Sequence, residues 1–413
     1  MGGLERAVHS LSVGLVERGI QTTVATLSRP DSVPAEEIDG VEIRRLDGFT
    51  RHLRRFAADP QHFFHPTCPD PQLVKRLSEL IDEIRPDVIH AHGWILNSCM
   101  AIRRPTHTPL VATLHDYSAV CAKKTLINHD RLDEACDGPQ LGRCLSCAGD
   151  YYGKIKGSAL TLGLSESRRR MDRVTLFLPI STVVAAKSLS HIPDDRVDVI
   201  PSFIDDSAPR DALSTPRPGF LPDGDFLVFV GALGEHKGVE LLAEAHRRMK
   251  TALPLVIIGA VRADTRIPQG SENRPIFVHT GLPHNEIMAT LAAATAAVTP
   301  SRWQEPLGLV PIEAMAAGTP VVATRVGALP EVVKHEQTGL VVEPNNPDAL
   351  AAALDRIVTD RRLRDDCGRA GRRWAQRFTA SAVIPRVIDA YERAIGASDV
   401  RALRHAPDRS RTA

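Results

Sequence analysis

Apolar positions recur along this chain at two spacings, one that fits a helix face and one that fits a buried strand, and the two alternate from end to end. Ala7, Leu11, Val13, Leu15 and Val16 cover one broad face of a helix, Gly19 breaks the pattern, and 22–27 reads as a strand. Strands are then expected over 41–43, 87–92, 109–115, 174–180 and 197–201, with helices over 71–84 and 154–165. Between 207 and 224 the apolar content falls and Pro, Asp and Ser accumulate, as in a linker. The alternation then restarts. Strands fit 226–231, 255–259, 276–279, 296–299 and 320–324, and helices fit 238–248, 285–294, 309–317 and 347–358. The closing helices, about 363–377 and 380–395, carry Trp374, Phe378 and Tyr391.

Such alternation implies parallel sheets covered on both faces, hence an α/β protein with two doubly wound domains in series. The boundaries read as a first domain over 1–206 with an insertion at 121–147, a linker at 207–224, and a second domain over 225–379. A C-terminal helix at 380–397 is long enough to cross back to the first domain, and a polar tail fills 398–413. Two such sheets facing each other would make a cleft at the carboxyl ends of their strands, where ligands bind. The start is unusual. Gly2 and Gly3 head a helix, as in a phosphate-binding turn, yet the strand that should precede them is absent. From this feature alone an ordinary flexible N-terminus is an equal alternative to a truncated phosphate-binding turn.

Composition narrows the function. With 51 Lys+Arg against 50 Asp+Glu and 4% aromatic residues, the 413-residue chain offers no basic face or stacking platform for nucleic acid, so small-molecule binding is the expectation. No apolar run of about 18 residues and no signal-like leader are visible, which fits a cytoplasmic protein.

The chemistry concentrates in 305–323. Gly308 permits close backbone approach, Pro311 suits a first helical turn and Gly318 a helix stop, so the stretch reads as loop, helix, turn and strand. Amides near Gly308 and Leu309 could receive a diphosphate, and Glu305 and Glu313 could accept hydrogen bonds from sugar and ribose hydroxyls.

Taken together, Glu305, Glu313, Ala314-Met315-Ala316 and Gly318-Thr319-Pro320-Val321-Val322 resemble the signature of glycosyltransferase family 4. The likeness continues in Gly2-Gly3-Leu4-Glu5, in Pro86 to His92, in Val199-Ile200-Pro201-Ser202 and in Gly231 to Gly238. It implies a GT-B architecture, here with the first strand of the N-terminal domain missing and the natural reading frame expected to begin about 15 to 20 residues upstream, and a retaining transferase that takes a nucleoside diphosphate sugar as donor and a sugar, lipid-linked intermediate or small metabolite as acceptor. No catalytic metal is implied, and no Asp-x-Asp motif ends a strand. By the same resemblance Gly3 belongs to a donor loop and Glu313 binds the ribose. Glu305 binds the donor sugar, Lys237 stabilises the diphosphate leaving group, and His115 lines the sugar pocket. His90 and His92 read as structural. Where the family usually has an arginine after the first donor-domain strand this chain has Ala232, so Arg302, Arg262 or His236 would have to supply the charge. A nucleotide-sugar epimerase or phosphorylase, or an inactive nucleotide-sugar-binding protein, are the alternatives on this architecture.

Two further features stand apart. Cys121, Cys136, Cys144 and Cys147 could hold a structural zinc, Cys144 and Cys147 having a knuckle-like gap; uncoordinated thiols and redox or disulfide chemistry are the other readings. The basic runs 51–56 and 167–171 read as solvated surface, with weak peripheral contact at the inner face of a membrane as the alternative.

Overall fold

The computed structural model describes residues 3–29, 32–56, 65–103, 108–261, 265 and 267–405. The chain divides into two compact units, one of Met1–Asp130, Asp137–Ile200 and Ile384–Ala413, the other of Arg131–Cys136 and Pro201–Val383.

In the first unit β1 (Thr23–Leu27), β2 (Ala35–Ile38) and β3 (Val41–Leu46) form one sheet in the order β1-β3-β2, with β1 parallel and β2 antiparallel to β3. A second sheet contains β4 (Ile89–His92) and β5 (Leu110–Leu114). After the short strand β6 (Ile127–Asn128) and then β7 (Arg131–Ala135), which is assigned to the second unit, β8 (Leu176–Pro179) completes that sheet in the parallel order β4-β5-β8. Leu110, Val111, Ala112, Phe177 and Leu178 are buried, the unbroken apolar run expected of parallel strands covered on both faces. The strand expected at 197–201 is reduced to a single bridge between Val197 and Phe177. Asp198 and Ile200 donate their N–H groups to Phe177 and Pro179, but Pro179 has no N–H with which to return the bond, so the ladder stays one-sided.

The second unit is built on six parallel strands: β9 (Leu227–Val230), β10 (Leu255–Ile258), β11 (Ile276–His279), β12 (Ala296–Thr299), β13 (Val321–Thr324) and β14 (Gly339–Val342). Their order is β11-β10-β9-β12-β13-β14, so the chain winds outward from β9, returns, and winds outward the other way from β12. That reversal leaves a crevice at the carboxyl ends of β9 and β12, the place where open α/β sheets bind ligands. The 207–224 segment is not a bare linker. Helix Ala208–Ser214 lies within it, Pro209 in its first turn, and packs on helices His284–Ala293 and Leu309–Ala317 through buried Ala208 and Ala212. Alanine contributes so little apolar area that the sequence pattern there resembles a loop.

Candidate functional site

The loops that leave β9 and β12 are pressed backbone to backbone. Gly231 ends β9, and the following loop tightens into a helical turn, Glu235–Lys237, before Gly238 at φ +76°. A Cβ at Gly238 would lie 1.9 Å from the Pro300 carbonyl oxygen, so both the left-handed conformation and the close approach require glycine. This contact brings Lys237 to the loop that follows β12.

There it meets Glu305, only 7% exposed. The Lys237 Nζ lies 2.9 Å from Glu305 Oε1 and 3.0 Å from Oε2. Ser301 Oγ and Trp303 Nε1 each donate to Oε2 at 2.9 Å. The Lys237 ammonium also sits 5.1 Å from the centre of the Trp303 ring, whose edge meets the His236 ring at 5.5 Å. Three side chains thus hold one carboxylate in a fixed orientation, and the Lys237 charge is balanced by Glu305.

Helix Leu309–Ala317 starts directly after Gly308 (φ +100°), with no side-chain cap on its first amides, and ends at Gly318 (φ +89°), as its sequence predicts. Glu313, in the second turn, accepts a hydrogen bond from His284 Nε2 at 2.9 Å. His284 opens helix His284–Ala293.

Ala232 stands in the loop after β9 where the resemblance implies an arginine. Arg302 does not bring its charge to Lys237: its Nη1 pairs with Glu235 at 3.0 Å and its Nε donates to Asn345 Oδ1 at 2.7 Å. His236 lies against Trp303, and Arg262 is outside the described residues. Gly3 opens helix Gly3–Val16 in the first unit, and Gly2 is outside the described residues.

The first unit carries a row of histidines. His92 Nδ1 and His115 Nε2 are 2.9 Å apart at the carboxyl ends of β4 and β5, and the His90 and His92 rings are in contact at 4.1 Å. His90 bonds Tyr391 Oη and Thr113 Oγ1, each at 2.7 Å. Burial keeps all three rings neutral, pulling His115 down to about 4 against the opposing pull of Asp116 and His90 down to about 3, with His92 well below its usual value. A neutral ring has one N–H, so a single proton lies between the facing nitrogens of His115 and His92, and the outer nitrogens, His115 Nδ1 and His92 Nε2, lie outside that bond. The histidine row has a stability consequence. An unfolded histidine protonates near 6.5 while these do not, so the unfolded state takes up more protons as pH falls from about 6.5 towards 4. The stabilisation present above 6.5 is then lost. Scanning calorimetry should show the melting temperature falling between pH 7 and 5, and less steeply in His90→Asn; equal slopes in the two proteins would remove the histidines as the cause.

The four-cysteine zinc site is not assembled. Cys144 and Cys147 lie on one helix, Leu141–Tyr152, rather than on a knuckle turn, and Cys147 Sγ is engaged by the His129 N–H at 3.3 Å and the Ile127 carbonyl at 3.7 Å. Among the described residues no group of three or more His, Cys, Asp or Glu is placed to hold a metal ion. In the basic runs, Arg51 pairs with Asp47, and Arg169 and Arg170 both pair with Glu166. Among the described residues no helix is long and apolar enough to cross a membrane.

Sequence reasoning found Lys237, Glu305 and Glu313 but missed Ser301, Trp303 and His284. The first two are within four positions of Glu305, so a search for donors flanking the carboxylate could have named them; His284 is 29 positions from Glu313 and left no local signal.

Residues 1–208 match the family model for Glycosyltransferase Family 4, and residues 215–374 that for Glycosyl transferases group 1. The glycogen synthase of Mycobacterium tuberculosis is 30% identical over 92% of this chain and 87% of its own length. Among solved structures, sucrose-phosphate synthase from Thermosynechococcus elongatus superposes with a TM-score of 0.69 at 21% identity, over 96% of this chain and 94% of that one. Anabaena HepE, solved in complex with UDP-glucose, gives a TM-score of 0.63 at 17% identity, over 95% of this chain and 96% of its own.

Proposed function

From the premise that this chain belongs to glycosyltransferase family 4, with the GT-B architecture, we propose that it moves a sugar from a nucleoside diphosphate sugar to a hydroxyl acceptor with retention of anomeric configuration. The observation that carries the reading is the Lys237–Glu305 pair at the switch point of the second unit's six-stranded sheet, just ahead of an uncapped helix start. The diphosphate would take the Lys237 ammonium and the first amides of helix Leu309–Ala317, where a fixed cation and helix dipole favour the charge that develops on the leaving group. Glu305, kept in orientation by Ser301 and Trp303, would then accept a donor-sugar hydroxyl, and Glu313 the ribose hydroxyls. Retention follows if the departing phosphate oxygen takes the acceptor proton on the face it leaves. His115, whose Nδ1 lies outside the bond to His92, would line a sugar pocket, the role the family resemblance gives it.

UDP-glucose, the ligand of the HepE structure, is the first donor to test, followed by GDP and ADP sugars, each with and without glycan, lipid-linked and small-molecule acceptors. Acceptor-dependent product with the donor's anomeric configuration, read by NMR, supports the proposal; inversion, acceptor-free isomerisation, or binding without turnover opposes it. Binding supplies a second test. Glu313→Ala should weaken UDP on the order of tenfold to a hundredfold in calorimetric titration, since it removes charged acceptors from two hydroxyls. His284→Ala should cost less, because it frees a carboxylate oxygen as it loosens the side chain. Unchanged UDP affinity in Glu313→Ala would withdraw the ribose assignment.

A further inference from the structure

Three consecutive arginines stand at the end of helix Lys154–Arg168, and two of them spend their charge on one carboxylate: Arg169 and Arg170 both pair with Glu166. Arg168 is left over. Its side chain is half-buried and its Nε, shut off from solvent, has no acceptor among the described residues. Arg143, Arg170 and Arg196 also leave one buried nitrogen unpaired, but each holds a carboxylate or a carbonyl through another, which Arg168 does not. Burial pulls the Arg168 guanidinium below its ordinary value, opposed by the Cys144 thiol and by no carboxylate. The helix C-terminus favours a cation here, yet none of its carbonyls accepts from Nε. An ionised donor buried without an acceptor is costly, and folded proteins satisfy nearly all such groups.

The segment that faces Arg168 has a second unpaired donor. His191 is near enough for the Arg168 charge to add to burial in lowering its imidazole, and it is exposed, so it stands at a rim. Three positions earlier Ser188 is only 1% exposed, and its hydroxyl has no partner. Arg196 ties this segment to the end of the arginine helix, its Nη2 donating to the Met171 and Asp172 carbonyls, each at 3.0 Å. Both segments are at the amino end of β8, because the arginine helix precedes that strand and the chain after Ser188 has returned to run parallel to it at the Val197–Phe177 bridge. His92 and His115 are at the carboxyl ends of β4 and β5, which run parallel to β8, so Arg168 is at the opposite end of the sheet from the histidine row.

We infer that Arg168, with Ser188 and His191 on the facing segment, binds a small oxyanion, either free phosphate or the phosphate group of a small metabolite, at a site separate from those for donor and sugar. The planar fork of Nε and Nη can give two parallel N–H bonds to such an anion, and the hydroxyl can give a third. The anion brings the negative charge that Glu166, shared by the other two arginines, does not. Because Nε lies below the surface, the ligand is a molecule small enough to enter and not the face of a bilayer. The inference is independent of the glycosyltransferase reading: its three residues are in the first unit, and Lys237 and Glu305 are in the second.

The test titrates inorganic phosphate into the whole protein and into Arg168→Gln, with ionic strength held constant by sodium chloride. Binding is followed by calorimetry and by the histidine ring signals in NMR, the His191 signal being assigned with His191→Gln. Phosphate taken up at Lys237 contributes equally to both proteins, so their difference reports on Arg168. The His191 signal should move to saturation in the parent, and Arg168→Gln should weaken that binding on the order of tenfold to a hundredfold. Arg168→Lys, which keeps the charge and loses the fork, should fall between the two, and it carries the comparison if Arg168→Gln does not fold. A stationary His191 signal, or equal phosphate affinity in the parent and the Arg168 variants, would overturn the inference. So would flotation with phosphatidylglycerol vesicles that depends on Arg168 where free phosphate does not bind, since the source would then be a lipid headgroup.

Discussion

Glu305→Gln is expected to lower transfer on the order of a hundredfold while the protein remains folded, and Glu305→Ala to lower both activity and stability. The difference comes from what the carboxylate holds. It receives Lys237, Ser301 and Trp303, and Ser301 is buried to 1% exposure. Glutamine fills the same volume and keeps one acceptor oxygen, so part of the network survives and the main loss is the charge that orients Lys237 and would strengthen the bond to a sugar hydroxyl as positive charge develops on the sugar. A loss of about 2.7 kcal/mol from that source is a hundredfold in rate. Alanine leaves the Ser301 hydroxyl and the Trp303 N–H without their acceptor and Lys237 without its counter-ion, at about 1–3 kcal/mol for each buried donor. Steady-state rates with a matched melting curve separate the two effects. A Glu305→Gln enzyme that turns over at the parent rate would end the assignment of Glu305 to the donor sugar.

That network also marks how far the sequence could be read. Gly308 and Gly318 bracket their helix as local backbone rules require, and in the second unit the runs at β9 to β13 were legible, most plainly β9 and β10, whose burial on both faces shows as uninterrupted Leu, Val, Phe and Ile. Strand β14 was not: its four residues follow a polar stretch, and only pairing with β13 makes them a strand. Partner choice was the larger gap. Whether Lys237 faces Glu305 or solvent depends on the close approach to Pro300 that glycine at 238 permits, where a Cβ would lie 1.9 Å from the carbonyl oxygen, and nothing local to Glu305 says that a residue 68 positions earlier neutralises it. The same limit explains the cysteines, where spacing suggested a shared metal but the helix at Leu141–Tyr152 and the bonds to Cys147 place the thiols otherwise.

Gly259→Ala is expected to be severely damaging to the second unit through steric clash alone. Gly259 follows β10, and a Cβ there would lie 1.7 Å from the Gly231 carbonyl oxygen and 2.8 Å from its carbon. The obstacle is space and not backbone conformation, and it consists of main chain, which no rotamer change can clear. Gly231 N–H donates to Ile258 at 2.9 Å and Gly259 N–H to His279 at 3.0 Å, so making room means parting β9 from β10 and straining β11 at the carboxyl ends. A cost on the order of 3–5 kcal/mol follows from overpacking together with the lost ladder bonds. For a unit of this size that lowers the melting temperature by about 10 °C. The functional effect should exceed the thermal one, because the displaced strand end is the root of the loop that carries Lys237: UDP affinity should fall well below the melting range, where the protein is still folded. Gly219→Ala is the control, since no atom lies within 4 Å of the added carbon and its backbone is not left-handed. If Gly259→Ala melts with the control and binds UDP as tightly, the two strand ends can separate without cost, and the loop that presents Lys237 is held by the Gly238 contact with Pro300 instead.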